Sequence, residues 1–363
     1  MSDWSLKDLQ EWDDRICEIA KEHNLDWYPI TYETCDYFEM IGNMAYHGMP
    51  THYGHWSYGK SFEVQHQRYQ LGMTGLPYEL IINSNPCISY LMKENPLYLQ
   101  ILIMAHCVGH SDFFKCNRTF SFTRADTVVP RMRNAKKRIQ SYIEDPSIGI
   151  TKVESIIDAA HALSYQVPRL PQDIRDIEME RKQWQKANKA RLDSGDMDER
   201  TYNALPYDSE YDVLGFVSAY ARDLKDWERD IIEIIRDEAH YFMPQIRTKI
   251  MNEGWASYWH SKIMTQNALT PSEIIDFADH HAGVMAMSKQ QINPYKIGIE
   301  LFRDIEFRWD TGKFGKEYNE ERFDKAIYAT LLEDDIATFE GGIETQIGEK
   351  GINLHKRFAR EKN

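Results

Sequence analysis

The chain lacks any surplus of positive charge: 57 acidic residues against 43 basic ones in 363 leave a formal net charge of -14. Phosphate backbones and anionic lipid surfaces repel such a molecule unless a local basic patch intervenes, so neither nucleic acid nor a membrane is expected as a partner. No uninterrupted apolar run reaches the roughly 18 residues that a membrane span requires. Met1 opens onto "SDWSLKDLQEWDDR", without a basic n-region, an apolar h-region or a small-residue cleavage site. A cytoplasmic protein is therefore expected rather than a secreted one. The five cysteines (Cys17, Cys35, Cys87, Cys107 and Cys116) never form C-x-x-C, which argues against a redox pair, a zinc ribbon or a disulfide framework. The strings G-x-S-x-G and G-x-G-x-x-G are also missing, which removes the commonest hydrolase and dinucleotide chemistries.

What is present is a large buried core in prospect, with 42% hydrophobic and 12% aromatic side chains. A single large domain over 1–363 is the expectation. Apolar residues recur at helical spacing over 4–23, through Trp4, Leu6, Leu9, Trp12, Ile16 and Ile19, and a second helix is predicted over 32–47. Between 50 and 86 the texture turns rich in Tyr and Gly, and a small sheet or ribbon is expected near 55–84, with "YELIINS" as its best strand. Pro96 then opens "PLYLQILIMAHCVGHSDFFK", a mostly buried helix over about 96–114. Residues 168–212 read as a polar helical excursion or linker. The pattern predicts a helix over 213–242 that ends near Pro244, and a further one after it. The fold class is mainly α with a small β element, that is α+β.

Two histidines carry the chemistry. His106 and His110 lie four apart, so a helix puts both imidazoles on one face, the geometry of H-E-x-x-H zinc sites. Cys107 stands where the catalytic glutamate of that motif would be, and a cysteine in a buried helix is more often an inert hydrophobe than a nucleophile. In "MNEGWASYWH", Glu253 and His260 are seven apart and share a face of a second helix, so either completes the ligand set for Zn or another divalent metal. A His-x-x-x-His helix, a Glu-bearing helix and a short edge strand before the first helix together suggest a zincin-like helical core, the strand serving as a platform for an extended peptide. Core histidines bonded to carboxylates are the simpler reading of the same pair. Asp112 is placed to orient His110 or a water, and His281 in "ADHHAGV" to act as an acid, base or oxyanion partner. The dense segment "HWSYGK", with His55, Trp56 and Lys60, suits a pocket lining. A competing pattern, Asp158 with His161 and Asp237 with His240, echoes di-metal bundles, although both carboxylates are the shorter Asp.

The strings "GMPTHYGHWSYGK", "GLPYELIINSNPCISYLM", "MAHCVGHSDFFKCN", "YFMPQIRTKIMNEGWASYWH", "HAGV" and "NPYKIG", in that order, resemble the stage V sporulation protein R (SpoVR) family over roughly residues 5–305. Position by position, the resemblance marks His55, Trp56, Lys60, Asn83, His106, His110, Asp112, Asn117, Asn252, Glu253, Trp255, His260 and His281. It implies Asn83 and Trp255 as further pocket residues and a link to spore cortex, stationary-phase or stress physiology. Beyond about Trp309 the tail, 310–363, no longer follows the family's C-terminal pattern.

The expectation is thus a zinc-dependent hydrolase-like protein acting on a peptide or peptidoglycan-type amide. Catalysis would fall to Glu253, His281 and Asp112, and the metal would be held by His106, His110, Glu253 and His260. A non-catalytic, metal-stabilised scaffold or regulator in the same pathway is the alternative, and a carboxylate/His di-metal protein the second. A protein or peptide partner is expected, and the oligomeric state is open.

Overall fold

Local caps set the first boundaries. Ser5 accepts from the Asp8 amide while the Asp8 carboxylate accepts from the Ser5 amide, and this reciprocal cap opens α1 (Leu6–Glu22), which buries Leu9, Ile16 and Ala20. After β1 (Ile30–Cys35), Asp36 and Glu39 repeat the device at the start of α2 (Tyr37–Ala45). α3 (Trp56–Gln70) is capped by the His55 ring and followed by β2 (Leu80–Ile82), β3 (Cys87–Met92) and α4 (Leu97–Cys116). A 3-10 turn at Ala125–Thr127 leads into α5 (Val128–Glu144) and α6 (Ile150–Ala162). α7 (Ile177–Asp193), α8 (Glu199–Asn203) and α9 (Val213–Tyr220) precede the long α10 (Asp226–Ile263). α11 (Pro271–Val284) and α12 (Pro294–Asp310) complete the helices, and a two-stranded scrap, β4 (Gln346–Ile347) with β5 (Ile352–Asn353), lies beyond. The computed structural model describes residues 4–71, 79–168, 177–203, 212–265, 271–286 and 292–311, with isolated positions further on.

The architecture is mainly helical with one three-stranded sheet, ordered β1-β3-β2, in which β1 runs parallel and β2 antiparallel to β3. β2 lies on the edge, as expected of "YELIINS", and β3 stands between it and α4 along the chain. Three elements differ from the sequence pattern. Residues 56–70 are helix rather than ribbon, supported by side-chain bonds at four-residue spacing (Gln65 to Ser61, Gln67 to Glu63, Gln70 with His66) that only a helix surface provides. The helix predicted over 32–47 yields its first residues to β1, because pairing with β3 satisfies that backbone. Pro244 does not end a helix: α10 runs through it for 38 residues. An interior proline costs about 3 kcal/mol or more; packing of α10 against α4, α6, α9 and α12 outweighs it.

That packing positions the functional side chains. From Leu99 to Phe114 every residue of α4 is buried, so the helix is enclosed on all sides. Gly109 lets α10 approach closely, since a Cβ there would sit 2.7 Å from the Ala256 Cα. Gly254 meets Gly298 backbone to backbone in the same way, drawing α12 onto α10. The polar excursion is helical in α7 and α8, while its segments 169–176 and 204–211, and most of the tail after 311, lie outside the described residues.

Candidate metal centre

Three elements aim four side chains at one point. α4 supplies His106 and His110, α10 supplies Glu253, and the residue just ahead of β2 supplies Glu79; one ligand atom from each lies within 4.8 Å of all the others. His106 Nε2 is 3.2 Å from Glu79 Oε1 and 3.6 Å from Glu253 Oε2. His110 Nε2 is 4.0 Å and 3.4 Å from the same two atoms. A tetrahedron of bonds about 2.0–2.1 Å long has edges of roughly 3.3–3.4 Å, so the shorter spacings, 3.2–3.6 Å, suit a group that could hold a small divalent ion. His106 Nε2 and Glu253 Oε2 are buried with no hydrogen-bond partner. Buried polar atoms are rarely left so, and a cation between them accounts for both.

Electrostatics points the same way. Burial alone would push the His106 pKa down, yet the Glu79 and Glu253 carboxylates outweigh it and hold it up at about 9. Burial would likewise raise Glu253, but the His106 and His110 rings keep it well below the ordinary carboxylate range. The cluster therefore draws a positive charge into itself.

The outer nitrogens are tied as well. His110 Nδ1 is 2.9 Å from Asn252 Oδ1, which fixes the proton on Nδ1 and leaves Nε2 as a lone pair facing the cluster. His106 Nδ1 is 2.7 Å from His260 Nδ1, and His260 Nε2 is 3.0 Å from His281 Nδ1. On α12 the Tyr295 hydroxyl bonds Glu253, and burial with the two nearby carboxylates pushes its pKa far up, so it stays a phenol able to donate.

Of the sequence-predicted ligands, His106, His110 and Glu253 come together. His260 does not join the converging group; it reaches the opposite nitrogen of His106, because residues 253 and 260 share a face of α10 but stand two turns apart along it. Asp112 turns to a structural task, accepting from the Asp26 amide at 2.8 Å and from Trp255 Nε1 at 2.7 Å, so that it clamps α4 to α10 and to the loop after α1. His281 reaches the centre through His260 alone among the bonds described. His55 and Trp56 both contact Asp158 of α6, at 3.2 and 3.0 Å, and Lys60 lies over the Trp56 ring. Asn83 is fully buried, donating to Thr123 and accepting at its carbonyl from Tyr241. Cys107 lies against Ser89 at 3.2 Å, and burial pushes its thiol well up, as befits an inert core residue.

The di-metal pattern finds no convergence. Asp237 is paired with Arg124 and Arg131, and His161 with the Tyr53 hydroxyl at 2.9 Å. Glu238, next in sequence to Asp237, has its two oxygens taken by His52 and Tyr53. Among the described residues only the Glu79, His106, His110 and Glu253 group could hold a metal. Glu79 and Tyr295 were missed in the sequence. The one signal for Glu79 was an acid at the head of an otherwise apolar strand; Tyr295 carried none beyond its place in "NPYKIG".

Residues 3–335 match the family model described as "SpoVR like protein". "Uncharacterized protein YcgB" of Escherichia coli strain K12 is 35% identical over 329 residues, which are 84% of this chain and 64% of that protein. The chain thus spans just under two thirds of that relative's length. Short stretches of 45 and 41 residues are 44% and 49% identical to "Multidrug resistance protein mrp-7" of Caenorhabditis elegans and "ABC transporter C family member 8" of Dictyostelium discoideum, each covering 3% of those proteins. No solved structure matches.

Proposed function

The chain belongs to the SpoVR-like family, and we propose that within it this protein is a divalent-metal, most simply zinc, hydrolase-like enzyme acting on a peptide or peptidoglycan-type amide. The observation that carries this is the pair of orphaned buried atoms, His106 Nε2 and Glu253 Oε2, converging with His110 and Glu79 at ligand spacing. His106, His110 and Glu253 would hold the ion, the three-ligand pattern of catalytic zinc. A bound ion would supply Lewis-acid polarisation of an amide carbonyl and acidify a water. Glu79 takes the place of the glutamate that Cys107 displaces from the helix, as the proton acceptor beside the reacting water. Tyr295 stands ready as a hydrogen-bond donor to the carbonyl oxygen. The edge position of β2, which begins one residue after Glu79, supports the peptide platform expected of a zincin-like core. A cytoplasmic role in sporulation, cortex or stress physiology, with a protein or peptide partner, completes the reading, and the chain acts as one large domain with 168–212 as a polar helical excursion or linker.

Metal analysis of the purified full chain tests it: about one zinc per chain is expected, falling several-fold in His110→Ala and Glu253→Gln. Metal content that is nil in the wild type, or unchanged in both variants, sinks the proposal. Release of free amine from peptidoglycan stem peptides by the loaded protein, abolished by Glu79→Gln, tests the hydrolytic half.

A second reading has one specific observation in its favour. Four protein groups converge, and four fill a tetrahedral shell with no position left for water, as structural zinc sites do. In that case the metal braces α4, α10 and β2 in a non-catalytic scaffold. Loss of metal together with a large drop in Tm on Glu79→Gln supports the scaffold; retained metal with lost hydrolysis supports the enzyme.

A further inference from the structure

Resting on the metal reading above, we infer that His260 and His281 are positioning residues that lock His106 in the cation-binding tautomer and thereby fasten α11 to the occupied centre. The three rings form a series: His106 Nδ1 to His260 Nδ1 at 2.7 Å, then His260 Nε2 to His281 Nδ1 at 3.0 Å. Both are hydrogen-bond distances, and a neutral imidazole has one donor and one acceptor nitrogen. To bind a cation, His106 presents the Nε2 lone pair to Glu79 and Glu253, which leaves its proton on Nδ1. That proton is donated to His260 Nδ1, so the His260 proton sits on Nε2 and is donated to His281 Nδ1. Occupancy at one atom therefore dictates the tautomer of three rings in turn.

A relay out of step is penalised by burial: His106 and His260 are each 2% exposed, so if both rings carried their protons on Nε2, two lone pairs would face each other at 2.7 Å. A relay reversed as a whole keeps its bonds but puts a proton on His106 Nε2, which then has no lone pair for a cation. The support differs for the two histidine ligands. His110 leans on the Asn252 side-chain oxygen, an acceptor that enforces one tautomer on its own, whereas His106 leans on a ring that can face it either way. Among the bonds described, its orientation is completed from α11. There Phe277, buried in the same core as α4, stacks on His281 at 5.5 Å and meets the His260 ring edge-on at 6.0 Å. An aromatic wedge and a histidine one turn apart thus seat α11 on the rear of the centre.

Chelator competition for Zn2+ on the full chain tests this. His260→Ala should weaken zinc binding by roughly 10- to 100-fold, the usual cost of removing a partner behind a metal-binding histidine. His260→Gln should recover part of that loss, because its amide oxygen can accept from His106 Nδ1, a rescue that a merely space-filling role would not give. His281→Ala should weaken zinc binding by a smaller factor and make α11 cleavable by protease even in the loaded protein. The 15N shifts of His106 should report a proton on Nδ1 in the loaded wild type and a mixture of tautomers in metal-free His260→Ala. If the wild type binds zinc and both alanine variants bind it equally tightly, the relay is overturned and the metal centre stands. If the wild type binds none, the metal reading fails and the relay with it. Should His260→Ala not fold, His281→Ala decides alone, an unchanged affinity overturning the relay.

Discussion

Two carboxylates cannot share the same pair of imidazoles without a positive charge between them. Glu79 and Glu253 do so in a pocket where their side chains are each 15% exposed, and their mutual repulsion is relieved by either a proton on His106 or a cation. Chelation of a metal-loaded sample should therefore lower Tm, and re-addition of zinc should restore it, by an amount that rises with free metal because only the folded chain presents the site. A Tm indifferent to zinc would contradict this. Tyr295 is a second residue-scale test: Tyr295→Phe removes the hydroxyl that bonds Glu253 but keeps the ring beside His106, 6.1 Å between centroids. Zinc content should hold while hydrolysis falls by about 100- to 1000-fold, in line with the loss of one hydrogen-bond donor to a reacting oxygen.

Among the elements, α4 and α10 matter most, because their close approach brings the two ligand sets together. Gly109 has no room for a side chain: its Cβ would meet Ala256 Cα, which is backbone and cannot swing away. Gly109→Ala should cost about 1–3 kcal/mol of stability, the typical price of overpacking a core. Denaturant midpoints check that, and because Gly109 adjoins His110, zinc affinity should weaken alongside. A variant as stable as the wild type would show that the helices can part freely. The same elements explain which of the sequence-based expectations held. α4 was legible because a proline start and an unbroken apolar run specify a buried helix. The passage of α10 through Pro244 was not, because the opposing term is packing against helices far away in the chain. His55–Gln70 misled through composition: its Tyr and Gly residues suggest strands, while the cap and the four-residue side-chain pairs that decide for helix act only once the turn has formed.

Across the whole molecule, histidines are buried well beyond the metal cluster. Burial holds His55 and the half-buried His161 and His240 below the ordinary histidine value of 6.5. Their folded pKa is depressed, so the unfolded chain takes up protons first as pH falls, and the stability they contribute, present above about 6.5, is lost below it. Glu238 acts in the same sense at lower pH: burial would raise it, but His52 and Tyr53 hold it down, so its contribution fades as pH falls through the carboxylate range. Urea midpoints should therefore decline steadily from pH 7 to pH 5, and a flat profile would contradict the burial of these rings as neutral species. The family, the helical class, the histidine pair and Glu253 were all determined by the sequence itself, because short-range spacing on a helix face and a run of specific strings need no knowledge of the remote chain. The arrival of Glu79 as the fourth converging group, the displacement of His260 to the rear of His106 and the linkage to α11 were decided by tertiary structure alone. Each depends on how closely elements distant in the chain approach one another; for α4, α10 and α12 that approach is set by Gly109, Gly254 and Gly298, at contacts between segments more than forty residues apart.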